Sequence, residues 1–308
     1  MKSKYPFNLF IAGFFCVFSF SVIAEDSSMY IPVAGYDYLN IESVTIHTPG
    51  IGLILVDDSF AVSGIYKHGF LSEENQSYPL SGFHSVDLMM EVHKDGHQLI
   101  TSFISESDQP VYGGWATLQA AVIYNYRLIN TDVFKLHVGA GAALGDFGID
   151  LADGSNWPLV PILFLSLEYT ASGFKAEFSF ISGPDLDIVL FPENNFRIYG
   201  QLQINSYKDL RDLLFDLSLC YRLFAENESV EDFIGISAGI NNNVLDFVPG
   251  GDDEEYELQY YSLYTKIDLS IIKISGGYNF NGRRLFGNEI SYLEDSGFFL
   301  GLEGAYRF

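Results

Sequence analysis

Cysteine, basic residues and long apolar runs are what this chain has least of, and each scarcity excludes something. Its 308 residues include only Cys16 and Cys220. If the N-terminal segment discussed below is removed, Cys220 stands alone and no intramolecular disulfide can staple the fold, although export would permit one. Lysine and arginine together number 16 against 40 aspartates and glutamates, a formal charge of -24. So acidic a surface repels nucleic acid rather than gathering it. Beyond the N-terminus no apolar run is long enough for a membrane helix. Yet the apolar share of the chain is 48%.

The N-terminus supplies the compartment. Met1-Lys2-Ser3-Lys4 precedes an apolar run from Phe7 to Phe20, and Ser21-Val22-Ile23-Ala24 leads into acidic Glu25. A basic start, a short apolar centre and a small residue at the cut site read as a cleaved secretory signal over residues 1–24. An uncleaved anchor would need a longer run and different flanks. A lipoprotein would need small residues before Cys16, where Phe14-Phe15 stand. Cleavage removes Lys2 and Lys4 and no acid, so the charge becomes -26, from 14 basic and 40 acidic residues.

The remaining 284 residues (308 less 24) are expected to form one all-β domain, 25–308. A β-barrel reconciles high apolar content with the missing membrane helix, because it spreads apolar residues over many alternating strands. A soluble β-sandwich could alternate similarly. The pattern is clearest at the C-terminus, where Phe298, Leu300, Leu302, Gly304, Tyr306 and Phe308 take one face and Phe299, Gly301, Glu303, Ala305 and Arg307 the other. With a side-chain period of two, the first face suits lipid and the second a wet lumen. Leu213 to Leu223, Ala116 to Arg127, Phe196 to Asn205 and Ser85 to Val92 alternate in the same way.

A terminal phenylalanine behind an alternating apolar and aromatic strand, here Phe299 to Phe308, resembles the C-terminal signature of bacterial outer-membrane β-barrel proteins. The resemblance implies an architecture, an outer-membrane location and handling by the barrel assembly machinery. It implies no activity and no specific characterised family.

Connections set the expected strand count. Short links are read at Lys94 to Gly96, Leu128 to Thr131, Thr170 to Gly173, Pro192 to Asn195 and near Ser270-Ile271; long ones at Leu71 to Gly82, Ala143 to Trp157, Asn241 to Glu257 and Asn281 to Asp295. Outer-membrane barrels keep short turns on the periplasmic side, long loops outside and an even strand number. That parity requires a short strand at Asp187 to Phe191 after a turn at Gly183-Pro184-Asp185. Counting back then predicts about 14 strands beginning near Phe60. The range runs from 12 to 16, the upper value applying if Asn40 to Thr48 and Ile51 to Val56 also span. Tyr66, Trp115, Trp157, Tyr169, Tyr207 and Tyr278 are candidates for the interfacial aromatic belt.

No catalytic or cofactor motif emerges. His84 and Ser85 are adjacent, so a regular strand points them to opposite faces and they cannot share a proton. His68 has no serine in phase. Asp87, Glu91 and His93 point inward together but spread along one strand, too far apart for a metal without ligands from neighbours. Gly139, Gly141, Gly145 and Gly148 lack the βα setting of a phosphate loop and suit close strand approach instead. The acidic run from Gly250 to Glu257 reads as a solvated outer loop, since it lacks the ordered spacing of a calcium loop. No metal, cofactor or nucleic-acid partner is expected, and the sequence sets no oligomeric state.

What remains is a lumen. Arg127, Lys135, Lys175, Glu177, Arg197, Asp216, Arg222 and Arg307 are the candidate inward charges. Charges of both signs across a wet lumen can orient a polar solute, or can cross-link the walls and plug it. The leading expectation is passive passage of small hydrophilic solutes or ions. A structural or surface-interaction barrel with acidic outer loops is the alternative, followed by a membrane-lipid hydrolase.

Overall fold

The computed structural model describes residues 29–73, 82–108, 118–145, 158–180, 184–204, 213–223, 234–247, 256–269, 271–286 and 289–305. The signal segment 1–24, the run 250–255, Trp115, Trp157, Tyr207 and Arg307 lie outside them. Among the described residues there is no helix. Seventeen strand segments run in chain order: β1 (Met29–Ile41), β2 (Val44–Asp57), β3 (Phe60–Glu73), β4 (Gly82–Lys94), β5 (His97–Ser107), β6 (Leu118–Asn130), β7 (Phe134–Leu144), β8 (Leu159–Ala171), β9 (Phe174–Phe180), β10 (Pro184–Leu190), β11 (Phe196–Ile204), β12 (Leu213–Arg222), β13 (Gly235–Phe247), β14 (Tyr256–Asp268), β15 (Ile272–Phe286), β16 (Glu289–Leu293) and β17 (Gly297–Ala305).

From β1 to β16 each segment pairs antiparallel with the next, β17 pairs with β15, and β1 pairs with β17, from Val33 opposite Ala305 to Leu39 opposite Phe299. Both β16 and β17 lie along β15, so they are two halves of one strand. The sheet is therefore a closed antiparallel barrel of 16 strands, the upper bound of the expected range rather than its centre. The two strands ahead of Phe60 are β1 and β2, joined by a turn at Glu42-Ser43 where Glu42 takes a positive φ of 50°. The expected break near Pro49-Gly50 is instead inside β2. The short strand that parity demands is present as β10, but it runs from Pro184 to Leu190: Pro184 and Asp185, expected in the turn, are its first two residues, the proline standing where a missing N–H costs least, and Phe191 lies beyond its end.

The short links expected at Lys94 to Gly96, Leu128 to Thr131, Thr170 to Gly173, Pro192 to Asn195 and near Ser270-Ile271 are found at 95–96, 131–133, 172–173, 191–195 and between Leu269 and Ile271, with Leu128 to Asn130 part of β6; all fall at the end of the barrel that holds the first and last described strand ends, called here the turn end. Two expected loops require correction. Asn241 to Phe247 belongs to β13, while Asn281 to Phe286 and Glu289 to Leu293 are paired strand. Their turn-like composition serves the sheet. The Asn242 side chain accepts from Phe215 N and donates to Leu213 O, both at 2.6 Å, standing in for backbone where the β12–β13 ladder has ended. Asn281, at φ 51°, forms a bulge opposite the register break at Tyr260.

Outward positions are apolar and uncovered, as at Leu163, Leu217, Leu219, Tyr221, Leu263 and Leu300, with Leu163 72% exposed. Tyr66, Tyr169 and Tyr278 also point outward, as belt residues must. Sixteen strands closed into a circle would enclose a wide aqueous channel. This barrel is not circular, for Cα atoms of β5 and β13 come within 8 Å of one another across the lumen. Packed sheets normally stand about 10 Å apart, so no water column passes between those two strands. The inward row of β13 near the turn end is small, Gly235, Ser237 and Gly239.

The pinch divides the ring into two arcs of seven strands each, β6 to β12 on one side and β14, β15, β16–β17 and β1 to β4 on the other. Inside the second arc, toward the loop end, Leu39, Ile41, Val44, Ile46, Leu71, Phe83, Tyr256, Leu258 and Leu293 form a buried apolar cluster. At its glycines β7 runs close against β6. A Cβ on Gly139 or Gly141 would lie 2.2 or 2.1 Å from a carbonyl of β6, so only glycine allows the close approach expected of these positions. Phe164 and Ile162 then fill the space over the two glycines.

Candidate functional site

The arc β6 to β12 carries an unbroken run of polar lumen groups; on the other arc Asp37, Lys67, Asp87, Glu91, Lys273 and Glu303 also point inward, on the turn-end side of the apolar cluster. Alternation sets which side chains enter it, and register sets which meet. Read across the ladders, one inward row runs Lys135, Glu168, Glu177, Asp187, Gln201, Asp216, and continues past the arc through Asn241, Ser262 and Asn279. Each of these is directly opposite the next on the neighbouring strand. Because strands tilt in a closed barrel, such a row climbs as it goes round. The result is a polar ribbon that starts near the turn end of β7 and rises along the wall.

Its members are tied to one another and to the rows beside it. Lys135 Nζ donates to Glu168 Oε1 at 3.1 Å, and Lys175 Nζ stands 4.0 Å from both Glu168 and Glu177. Tyr199 donates to Asp187 at 2.5 Å and Tyr264 to Asp216 at 2.6 Å. Gln201 donates to Asp185 at 3.4 Å. Farther on, Asn243 donates to Ser262, which donates to Asn279 Oδ1 at 2.7 Å, and Asn279 in turn donates to the Asn40 carbonyl.

The cations sit lower. Arg127 lies near the end of β6 at Asn130, Lys135 and Lys175 are the second residues of β7 and β9, Arg197 is the second of β11, and Arg222 ends β12. All five are on the inward phase and close to the turn end. Arg197 is 5% exposed and donates from Nε to the Asn194 carbonyl at 3.2 Å. Arg222 keeps a buried Nε with no hydrogen-bond partner among the described residues. Five cations thus border one mouth of the arc, and five carboxylates, Glu168, Glu177, Asp185, Asp187 and Asp216, follow the ribbon from that mouth inward.

The structure places seven of the eight sequence-read charges, all on the inward phase and all on β6 to β12; Arg307 is outside the described residues. Sequence reasoning missed Asp185, Asp187, Tyr199 and Glu168 as lumen groups. The first two are legible in the alternation of Asp185 and Asp187 with Leu186 and Ile188, but Asp185 is expected in a turn and only Asp187 in the strand, so their shared face goes unread. His137 is inward beside Arg127, with Nδ1 3.4 Å from Asn125 Oδ1.

The other singled-out residues stay apart. His84 points outward, where Tyr66 Oη lies 2.6 Å and His68 Nδ1 3.1 Å from its Nδ1. Ser85 points inward and donates to Glu106 at 3.2 Å. The pair is separated by the wall, as the alternation required. Glu91 accepts from Gln98 at 2.7 Å and stands 3.8 Å from His93, whose Nε2 donates to the Asp58 carbonyl. Among the described residues no group of three or more His, Cys, Asp or Glu side chains is arranged to hold a metal ion.

No family model matches the sequence, and no curated protein matches it. Solved structures do. CdiB from Acinetobacter baumannii superposes with a TM-score of 0.53 at 10% identity, over 92% of this chain and 61% of that one. The present chain therefore spans about three fifths of CdiB. OccAB3 of Acinetobacter baumannii (TM-score 0.45, 8% identity, 93% and 100% of the two chains) and OccK1 of Pseudomonas aeruginosa (0.42, 7%, 91% and 99%) superpose less closely. At such identities likeness extends to the fold alone, and the CdiB superposition carries it. The closed antiparallel ring, its apolar outer surface and that superposition agree: this chain has the fold of the bacterial outer-membrane β-barrel proteins.

Proposed function

We propose that the protein resides in the outer membrane of a diderm bacterium and passes small hydrophilic solutes or ions through the β6 to β12 arc. The observation that carries this reading is the continuous polar file along the lumen wall. One arc is filled with apolar side chains toward the loop end, while the other presents a continuous polar ribbon. A purely structural barrel has no need to keep a file of polar and charged side chains in register across nine strands, where each costs desolvation unless water reaches it. By the usual orientation the turn end faces the periplasm, so the cations form the inner mouth. The C-terminal strand would engage the barrel assembly machinery, and outer-membrane lipid would cover the apolar wall.

In this reading the two charge layers act by placement. A passing ion meets fixed charges of one sign and then the other, which slows the flux of both signs and favours small dipolar solutes over bare ions. The test is conductance of the folded protein in a planar bilayer, with salt selectivity recorded. Small, stable unitary steps are expected. Several verified folded preparations that stay silent would overturn the channel and leave the second reading, a closed interaction barrel. The β5–β13 approach and the lysine–glutamate cross-links favour that second reading.

A further inference from the structure

On the outer wall, register brings two histidines and a tyrosine together. Residues of β3 and β4 stand directly opposite one another without a break from Phe60 and Val92 to Phe70 and Gly82, and His68 faces His84. Opposed side chains on such a ladder have Cβ atoms about 4.5–5.5 Å apart, so two imidazoles there can reach one ligand. Both rings are on the outward phase, half-buried and near the loop end. Their Nδ1 atoms are 3.1 Å apart, and Tyr66 Oη lies 2.6 Å from that of His84. The rings are held in place by their neighbours. His68 sits edge-on to Phe70 with centroids 4.2 Å apart, Tyr66 lies along His84 at 5.9 Å, and on the inner side Phe83 of β4 packs over Gly69 of β3.

Hydrogen bonding alone serves this arrangement poorly. A ring nitrogen carries either one lone pair or one N–H. With its lone pair presented, His84 Nδ1 can accept from the Tyr66 hydroxyl or from an N–H of His68, and the second approach is wasted. With an N–H presented, the same two partners compete for one hydrogen. A cation between the two imidazole lone pairs ends that competition, and the spacing suits one. An ion about 2.0–2.1 Å from two nitrogens sets them about 2.9 Å apart at a right angle and about 3.3 Å apart at the tetrahedral angle. The observed 3.1 Å falls between. Imidazole suits copper, nickel and zinc, whereas magnesium and calcium seek oxygen. Asp108 follows Ser107, the residue opposite His84, and its carboxylate is near enough to act on that ring electrostatically, which adds negative charge beside the pair.

We propose that His68 and His84 form a two-histidine site for a late first-row divalent cation, of the copper, nickel and zinc class, on the outer face of the barrel near its loop end. The two Nδ1 atoms are the protein ligands, and water or other oxygens at the membrane surface complete the shell. Tyr66 Oη, released from His84, donates to one of those oxygens. His47, the next histidine on this face, is bonded to Tyr36 at 2.6 Å and has Phe70 rather than a histidine opposite it on β3. The site lies outside the lumen and does not rest on conduction.

The probe is cupric ion, titrated into the untagged folded protein in zwitterionic micelles, with folding checked on the same sample by heat-modifiable gel migration. Electron paramagnetic resonance counts the imidazole nitrogens on copper. One copper per barrel, held by two such nitrogens, is expected. Excess zinc should displace it and excess calcium should not. Lowering the pH from about 7.5 to about 5 should release it, because protons take the imidazole lone pairs. Losing a ligand costs no less than losing the group that orients one, so His68→Ala and His84→Ala should each weaken binding by about 10–100-fold. His93→Gln, at the opposite end of β4, should change nothing. Should either alanine variant fail the migration check, His68→Asn and His84→Asn keep the test open with a smaller change of shape. Copper that does not bind, that binds through a single nitrogen, or that binds the His68→Ala, His84→Ala double variant as tightly as the parent would overturn the site and leave a hydrogen-bonded part of the aromatic belt. Displacement by calcium as readily as by zinc would overturn it too, since that ion would be held by carboxylates.

Discussion

The two arcs of this barrel are built from the same number of strands and close the same ring, yet they solve opposite problems. The arc from β14 round to β4 turns Leu39, Ile41, Val44, Ile46 and Leu258 into its own interior and buries them toward the loop end. The arc from β6 to β12 turns Lys135, Glu168, Glu177, Asp187 and Asp216 inward and leaves them half-buried. The first behaves as the core of a small globular protein. The second behaves as a wet surface folded inward. The difference teaches that a single closed sheet can spend one part of its lumen on stability and another on polar contact, even though the polar row itself runs on across β13 as far as Asn279.

The largest expected effects come from treating the apolar arc as if it were a lumen. Leu258 is fully buried. Truncation to alanine should cost about 2–5 kcal/mol through lost transfer energy and a cavity, and Leu258→Asp, which adds an unpaired buried charge, should abolish folding. Urea titrations read by heat-modifiable migration check both. If Leu258→Asp folds with an unchanged midpoint, the arc is solvated and the contrast between the two halves is gone. Phe164, which covers the β7 glycines in the polar arc, is the counterpart. Phe164→Ala should cost about 3 kcal/mol, locating the one part of that arc where packing matters.

Charge changes in the polar arc should do the reverse, moving function while sparing the fold. With Lys135→Glu and Lys175→Glu combined, the inner mouth loses two positive charges and gains two negative ones. The reversal potential in a salt gradient should shift toward cation selectivity. Asp187→Lys with Asp216→Lys should shift it the other way, since those carboxylates stand farther along the ribbon. Opposite shifts from the two double variants would establish two layers in one path. Shifts of the same sign, or none, would show that ions do not travel along these residues.

Much of this was legible in the sequence, and the failures have a common cause. Strands with apolar outward and polar inward rows, such as Leu213 to Arg222, declare themselves by alternation. Those of the apolar arc do not. In Met29 to Ile41 and Val44 to Asp57 both faces carry apolar or aromatic side chains, Leu39 and Ile41 inside, Tyr36 and Tyr38 outside. The period of two is therefore blurred, so the count of 14 begins at Phe60 and the two strands before it enter only at the upper value of 16. The same blurring left the core unforeseen. Asn241 to Asn243 and Asn281-Gly282 carry turn chemistry, but here asparagine amides bond within the sheet. The inward charges were readable from phase alone. The ribbon was not, because it exists only in the register between strands.

The smallest effect is also the sharpest discriminator between a conducting arc and one that is merely cross-linked. Lys135 and Glu168 are in contact at 3.1 Å, but their side chains are 41% and 25% exposed. A pair so open to water contributes about 0.2–1 kcal/mol. Lys135→Met should therefore move the urea midpoint barely beyond error, while removing one charge from the mouth and shifting selectivity by a fraction of what the double reversal gives. If instead the midpoint falls as far as it does for Phe164→Ala, the lysine–glutamate contacts hold the arc shut, water does not reach them, and the polar half of the lumen is a second core written in charged residues.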